Sequence, residues 1–490
     1  MPGGGCYRKS RPIMQKNPPP SPRKLHLITY GCQMNEYDSE RVAGLLKQER
    51  YELTDFAEEA DLILLNTCSI REKAEDKVFS QLGALRLLKR RRPDLTIGVM
   101  GCMAQLQKGR IQERAPYVDL VFGSPAIARV AELVERAREG RGPILETGES
   151  PLVKITARPD GGRRLKAFVT VMEGCEKFCT FCVVPTTRGR ERSHAPEVIV
   201  EEIRGLAAAG CREVTLLGQT VNAYGRDLDP ATDLAALLGR VNDVDGIERI
   251  RFTTSNPYNL TPRLIRALRD VPKVCEYLHL PLQSGSDRVL ERMNRGYSRA
   301  RYLELIAELQ ETVPDLALST DLIVGFPGET EDDFARTMEM VERVGYDNVF
   351  VFRYSRRPGT PAADMADQVP DEVKALRNTR LLEVTGRVAA ARSLRLEGRT
   401  LPVLVDGVSR KNAGEAAGRT RCNRVVNFDT GGRDLLGRVV EVRIARALPH
   451  SLRGELADSP ADPGAMDRLP GGPGRARVTG LGGGAPWCWR

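Results

Sequence analysis

The chain has 490 residues and a mass of 54.2 kDa, enough for about three domains at roughly 150 residues each. Hydrophobic residues make up 41% and charged residues 28%. No apolar run approaches the roughly 18 residues of a membrane span, and the Gly/Pro/Lys/Arg-rich start lacks a signal-peptide core, so a cytoplasmic protein without membrane contact is expected. A net charge of +9 and a pI near 9.0 favour a polyanionic partner.

Residues 1–22, with Asn17-Pro18-Pro19-Pro20, and residues 458–490 read as disordered tails. From Leu25 a βα alternation begins: strand Leu25 to Thr29, a helix with Val42, Leu45 and Leu46, strand Leu62 to Leu65, and a helix with Val78, Leu82 and Leu85. Strands Thr96 to Met100 and Val118 to Phe122 follow, then a helix with Ser124-Pro125 as N-cap and first residue, ending near Gly140. This pattern predicts an α/β, doubly wound parallel-sheet domain at 23–140 and a linker at 141–164. Six further strands, at 167–172, 213–218, 249–255, 277–283, 317–325 and 348–354, predict a partial (β/α)6 barrel over 165–393, with chemistry at the carboxyl ends of the strands. A long helix from about Asp371 to Leu396 leads to short strands at 401–405, 424–428 and 438–444, a small antiparallel β-barrel over 394–457.

Eleven cysteines in a cytosolic chain read as ligands or catalytic thiolates rather than a disulfide framework. Cys175-x3-Cys179-x2-Cys182 follows the first strand of the second domain. Three thiolates in one tight loop suit three corners of a 4Fe-4S cube and leave the fourth iron open. A zinc site would need a further ligand close by, and His194 lies twelve residues on. Cys32, Cys68 and Cys102 each fall just after a strand of the first domain, so a parallel sheet brings them to one edge. Buried cysteines packing as small hydrophobes are the competing reading. Equivalent placement in successive βα units favours a second three-thiolate cluster. Cys6, Cys211, Cys275, Cys422 and Cys488 follow no pattern, and His26, His279 and His450 are isolated.

Cys175-x3-Cys179-x2-Cys182, with aromatic Phe181 before the last cysteine, resembles the radical S-adenosylmethionine (SAM) signature. With the dispersed cysteines ahead and the β module behind, residues 24–457 are similar to the methylthiotransferase family. Thr29-Tyr30-Gly31-Cys32-Gln33-Met34-Asn35 and Asn66-Thr67-Cys68-Ser69-Ile70-Arg71-Glu72-Lys73-Ala74 resemble the branch that acts on isopentenylated adenosine in tRNA. Gly418-Arg419-Thr420 and Asn423-Arg424-Val425-Val426-Asn427-Phe428 resemble its TRAM module.

The resemblance implies two 4Fe-4S clusters and SAM. The first, on catalytic Cys175, Cys179 and Cys182, would cleave SAM to a 5′-deoxyadenosyl radical. The second, on Cys32, Cys68 and Cys102, would carry the sulfur, methylated by a second SAM. A radical suits an adenine C2–H that no acid/base pair could activate. The implied reaction is thiomethylation of N6-isopentenyladenosine beside the anticodon of tRNA, by a monomer whose electron donor and sulfur source the sequence leaves unidentified. Sister members would act on threonylcarbamoyl-adenosine in tRNA or a ribosomal-protein aspartate. A reading of another class is a non-catalytic iron–sulfur or zinc RNA-binding protein.

Gly218, Gln219, Ser255, Asn256, Gln283, Ile323 and Gly325, at strand ends, are candidate SAM contacts. Ordinary loop chemistry competes, above all for Gly325-Phe326-Pro327-Gly328 before a Thr330-capped helix. The β module carries Arg410, Lys411, Arg419, Arg421, Arg424, Arg433, Arg438 and Arg443, with Phe428 the one aromatic among them. That composition favours phosphate contact over base stacking, with Arg410, Lys411, Arg419 and Arg424 as the leading RNA contacts and a solvated basic face as the alternative.

Overall fold

The computed structural model describes residues 21–68, 72–140, 142–154, 156–158 and 164–457. The two expected tails, apart from Ser21 and Pro22, lie outside the described residues.

The first domain is a six-stranded sheet of β1 (Arg23–Tyr30), β2 (Tyr51–Leu53), β3 (Leu62–Thr67), β4 (Thr96–Met100), β5 (Leu120–Phe122) and β6 (Ile144–Glu146), in the order β2-β1-β3-β4-β5-β6. Every neighbouring pair is parallel. β3 and β4 are buried along their whole length, as strands covered on both faces must be. Val42 and Leu46 of helix Gln33–Gln48 and Val130, Leu133 and Val134 of helix Val130–Arg138 cover one face. Val78, Leu82 and Leu85 of helix Glu72–Arg91, with Met103 and Ile111, cover the other. The sheet is therefore doubly wound, and its strand order reverses between β1 and β3, where such folds open a crevice.

Two local expectations need correcting. β6 lies inside the stretch 141–164 expected to be linker; three residues behind a Gly-Pro pair are too short a run to show alternation. The helix expected from Ser124 begins as a 3-10 turn, Ser124–Arg129, and Ser124 Oγ is buried without a capping bond.

The second domain holds β7 (Lys166–Thr170), a short hairpin of β8 (Met172–Glu173) and β9 (Arg192–Ser193), then β10 (Glu213–Leu217), β11 (Arg249–Phe252), β12 (Tyr277–His279), β13 (Ala317–Val324) and β14 (Asn348–Arg353). Six parallel strands form the curved wall in two sheets, β7-β10-β11 and β12-β13-β14. A single bridge between Ile250 and Val274 spans the gap between them, and one continuous apolar core lies behind both sheets. No helix among the described residues is long and apolar enough to cross a membrane.

Helix Asp371–Leu394 leads to a closed barrel of β15 (Thr400–Val408), β16 (Glu415–Thr420), β17 (Val425–Asp429), β18 (Val439–Leu448) and β19 (Ser451–Leu456), in the order β15-β16-β17-β19-β18. Val403, Val426, Phe428, Val442 and Leu452 fill it. All pairs are antiparallel except β17–β19. β16 and β19 escape sequence reading because EAAGRT and SLRGEL lack an alternating apolar face. Gly418 is needed in β16: a Cβ there would lie 2.5 Å from the Leu404 carbonyl oxygen.

This small barrel docks on the amino-terminal ends of the larger barrel's strands. Arg251 donates to the carbonyls of Arg421 and Thr420, both at 2.8 Å, and pairs with Glu213 at 3.0 Å. Arg249 donates to Pro402 O at 3.0 Å, and Arg421 pairs with Glu276 at 2.7 Å. Asp347, just before β14, takes Arg392 and Arg424 at 3.1 Å each. Removing one member of a buried ion pair costs about 3–5 kcal/mol because its partner is left uncompensated. Asp347→Ala leaves two arginines facing each other, so we expect the docked state to lose about 3 kcal/mol, read as faster limited proteolysis between residues 394 and 400.

Candidate functional site

The Cys175–Cys182 loop is pinned at both ends. Gly174, just after β8, has φ +82°, and a Cβ there would fall 1.8 Å from the Arg190 carbonyl oxygen, so only glycine fits. The Gly174 amide donates to Gln219 Oε1 at 2.6 Å, and the Cys175 amide to Gly189 O at 3.1 Å. Further along, the Thr180 amide donates to Met293 O at 3.1 Å, and Phe181 packs edge-on to Phe326 with centroids 6.4 Å apart. The thiols themselves have partners. Cys175 Sγ lies 3.2 Å from Thr220 Oγ1, and Arg295 Nη1 donates to Cys179 Sγ at 3.2 Å. Burial pushes the Cys182 thiol up to about 12 and raises that of Cys175. Free thiolates would not persist here, so a group that replaces the protons with positive charge suits the loop.

Cys32, Cys68 and Cys102 follow β1, β3 and β4 at one sheet edge, the first two flanking the reversal of strand order. A lattice of buried amides ties their loops together. Asn35 Oδ1 accepts from the Cys32 amide at 3.2 Å, and Asn35 Nδ2 donates to Asn66 Oδ1 at 3.0 Å. Asn66 Nδ2 in turn donates to Asn35 O at 2.8 Å and Ser39 Oγ at 2.9 Å. Gly101, at φ +91°, closes on the same group: a Cβ would lie 2.3 Å from Asn66 Oδ1. The Cys68 amide donates to Tyr30 O at 2.9 Å. The Cys32 thiol is drawn down to about 6 by its hydrogen bond with Cys68, against its burial and aided by the charge of Arg188. Neither Asn35 nor Asn66 was singled out from sequence, although each lies within three residues of a cysteine.

The segments that flank the two thiol triplets meet across the domain boundary. Arg188, at the end of helix Val184–Arg188 behind Cys182, donates at 2.7 Å to Asp38, in the second turn of the helix that follows Cys32. Arg41 pairs with Glu173 at 3.3 Å, two residues before Cys175. Lys154 and Arg158 hold Glu202 at 2.8 and 3.2 Å. Met34, Tyr37 and Leu217 form an apolar seam beside them, with Cys32 and Phe168 against it. Helix Cys102–Gln107 packs on helix Val184–Arg188.

The other candidates divide by what already occupies them. Ser255 is buried and its Oγ has no hydrogen-bond partner, and Asn259 Nδ2 is likewise unsatisfied, leaving donors beyond the carboxyl end of β11 for a bound group; Arg188 Nη1, also unsatisfied, lies at the domain boundary beside Asp38. Gln219 instead braces Gly174. Asn256 Oδ1 caps the turn at Tyr258 N, 2.9 Å away, and the Asn256 amide donates to Asn222 Oδ1 at 2.8 Å. Gln283, at φ +73°, bridges to β13, with Ile323 N donating to its carbonyl at 2.9 Å. Ile323 packs with Phe181 and Phe326. At Gly218 a Cβ would strike Met172 Cγ at 2.6 Å. Gly325, at φ +70°, donates to Glu329 Oε2 at 2.7 Å, and a Cβ would lie 2.3 Å from Lys374 Cγ. Those glycines answer packing and turn geometry. His194, the nearest histidine to the loop, is held neutral by burial, its ring drawn down to about 3. Among the described residues no three His, Cys, Asp or Glu side chains close on a single-ion position.

In the C-terminal barrel Arg410 and Lys411 are exposed. Arg419 turns to Asn423 at 3.3 Å, and Arg424 is committed to Asp347. Sequence cannot separate these arginines, because the carboxylate that takes Arg424 lies 77 residues away.

The Radical SAM superfamily profile matches residues 169–341, the profile of the uncharacterized protein family UPF0004 residues 24–123, and the TRAM domain residues 394–457. In structure the chain is similar to the radical S-adenosylmethionine methyltransferase TsrM from Kitasatospora setae, with TM-score 0.53 and 14% identity over 70% of this chain and 77% of that one. The fold and the loop thiols thus define a radical SAM enzyme with a thiol-bearing domain in front and a TRAM barrel behind. Among sequence relatives, the tRNA-2-methylthio-N(6)-dimethylallyladenosine synthase of Methylococcus capsulatus is 51% identical over 89% of this chain and 96% of its own. Those of Hahella chejuensis and Clostridium beijerinckii are 49% and 48% identical over 89% of this chain, and 99% and 96% of theirs. The chain belongs to the tRNA-2-methylthio-N(6)-dimethylallyladenosine synthase family of radical SAM methylthiotransferases.

The amide lattice makes a direct prediction. Asn66→Ala strips partners from buried Asn35 and Ser39 and should cost about 1–3 kcal/mol, seen as a lower thermal midpoint. Alkylation of Cys32, Cys68 and Cys102 in the metal-free chain should become faster.

Proposed function

We propose that this chain inserts a methylthio group at C2 of N6-isopentenyladenosine beside the anticodon of tRNA. The observation that carries the reading is the juxtaposition of two thiol triplets across one domain boundary, in a chain about half identical to named synthases of that nucleoside. Their names also favour this substrate over threonylcarbamoyl-adenosine or a ribosomal-protein aspartate.

Cys175, Cys179 and Cys182 are proposed to hold one 4Fe-4S cluster and Cys32, Cys68 and Cys102 the other. When bound, SAM and the two clusters supply the radical, the sulfur and the methyl group. The protein supplies placement. Gln219 and Gly189 fix the loop backbone, and Arg295 and Thr220 place N–H and O–H groups against two thiols. Ser255, with its unsatisfied Oγ at the mouth, is the candidate SAM contact that the geometry supports best. Arg188 and Asp38 hold the two domains in register. Exposed Arg410 and Lys411, joined by Arg433 and Arg438, are proposed to neutralise tRNA phosphates. The setting is the cytoplasm, with a monomer served by a separate electron donor and sulfur source.

Nucleoside mass spectrometry of tRNA from cells lacking this protein should show the isopentenylated nucleoside without its 2-methylthio form; an unchanged methylthio level would refute the reading. Three further outcomes are expected of the purified protein. Replacing Cys175, Cys179 and Cys182 with Ala should leave about half of the iron, since each triplet serves one cluster. Replacing Cys32, Cys68 or Cys102 with Ala should abolish thiomethylation while 5′-deoxyadenosine still forms. Exchanging Arg410 and Lys411 for Gln should reduce the log–log salt slope of tRNA binding by roughly 0.7 to 0.9 per contact. Point changes serve this test better than truncation, which would bare Arg249, Arg251 and Glu276 on the barrel floor.

A further inference from the structure

Three aromatic side chains are among the large exposed hydrophobics of the described residues: Phe56, Phe178 and Tyr258. Two of them, each 62% exposed, lie in loops of the larger barrel that Lys177 links: it precedes Phe178 and sets its Nζ 4.6 Å from the Tyr258 ring centroid. Phe178 lies inside the cysteine loop, directly before Cys179. Tyr258 lies in the turn after β11, three residues beyond Ser255.

Both rings are presented outward by a backbone that is fixed from below. Phe178 has φ +47°, a left-handed conformation that a bulky residue rarely adopts and that needs outside support. Asn294 provides it, donating from Nδ2 to Phe178 O at 3.1 Å. Tyr258 is seated by the cap from Asn256 Oδ1 to its amide and by Lys177, whose Nζ stands 4.6 Å from the ring centroid and donates to Asn259 Oδ1 at 3.2 Å. Gly296 lies along the Cδ2–Cε2 edge of the ring, where even a Cβ would come within 3.4 Å. Ordinary packing would turn such rings inward, as it does Phe181, three residues on, which packs against Phe326 and through it Tyr354.

We propose that Phe178 and Tyr258 form a stacking platform for unpaired bases of the tRNA anticodon loop next to the adenosine that enters the mouth. This rests on the reading of tRNA as substrate. A base that is to react inside a barrel must leave its stack, and its neighbours then lose a stacking partner. Two outward rings beside the reactive thiols replace that partner, and they do so without regard to base identity because every base has a π-face. The surroundings suit nucleotides rather than an apolar protein surface: cationic Lys177, next to Phe178 in the chain, stands against the Tyr258 ring. The aromatic-poor TRAM barrel offers no equivalent platform.

The test uses the full chain with both clusters loaded and a fluorescent anticodon stem-loop RNA carrying N6-isopentenyladenosine. Tyr258→Ala and Phe178→Ala should each raise Kd about tenfold without altering the salt slope. Tyr258→Phe should retain affinity and Tyr258→Leu should not, which separates a ring from mere bulk. RNA with abasic positions on either side of the isopentenyladenosine should bind the wild type more weakly, with a smaller penalty in each single Ala variant and none in the double Ala variant. Unchanged Kd in both Ala variants, or an abasic penalty that persists undiminished in them, would overturn the platform. Phe178→Ala losing iron would overturn the role of Phe178, and Tyr258, off the cysteine loop, carries the test on its own. A wild type that binds the stem-loop but leaves it unmodified overturns the substrate reading instead, so the two failures are distinguishable.

Discussion

The structure depends on a buried ionic contact between its first two domains. Arg188 on Asp38 and Arg41 on Glu173 are all nearly inaccessible to water. Such pairs add little net stability over apolar packing, because desolvation offsets their attraction. What they add is direction. The apolar seam of Met34, Tyr37 and Leu217 would tolerate sliding by a fraction of a side chain, whereas a directed guanidinium N–H contact to a buried carboxylate oxygen, 2.7 Å for Arg188 on Asp38, does not. The four charges are also placed where sliding matters most: Asp38 and Arg41 on the helix that begins after Cys32, Glu173 just ahead of Cys175, and Arg188 just behind Cys182. Two sites that must hand chemistry to one another are thus locked through the residues that flank them, while the chemistry itself remains with the groups they hold.

Which parts of this could be read from the chain follows from the range of the interactions involved. β3 and β4 are runs of apolar residues, helix Val130–Arg138 has a regular apolar stripe, and Cys175, Cys179 and Cys182 lie within one loop, so all are local patterns. The convergence of Cys32, Cys68 and Cys102 required one inference more, that parallel strands share a carboxyl edge. What sequence does not reveal is who partners whom. Asn35 and Asn66, 31 residues apart, look like ordinary loop amides until the sheet brings them to 3.0 Å. Gln219 and Asn256 have the right chemistry for a ligand, yet their side-chain oxygens are spent on backbone amides. Composition drew attention to these strand ends without telling a free side chain from a brace.

The same limit applies to charge. A count of arginines in the C-terminal barrel suggested a single basic face, but the barrel uses its positive groups on two surfaces. Arg421 and Arg424 turn inward to Glu276 and Asp347, and the backbone carbonyls around them receive Arg249 and Arg251 from the floor of the larger barrel. Their charges are neutralised within the chain, so they contribute nothing to the field that a polyanion would meet.

That division, with the platform proposed at the mouth, would give a nucleic acid two chemically different surfaces. On the outer strands of the TRAM barrel the remaining cations face water with few rings near them; at the mouth, two rings face water with few cations. Phosphate neutralisation is long-ranged, weakened by salt and indifferent to sequence. Stacking is short-ranged, insensitive to salt and available only to bases that are already unpaired. A duplex can satisfy the first surface but not the second, and a free nucleoside the second but not the first. Only a folded RNA with a paired stem and an open loop presents both, so the two proposed surfaces together would favour such an RNA without any base-reading contact.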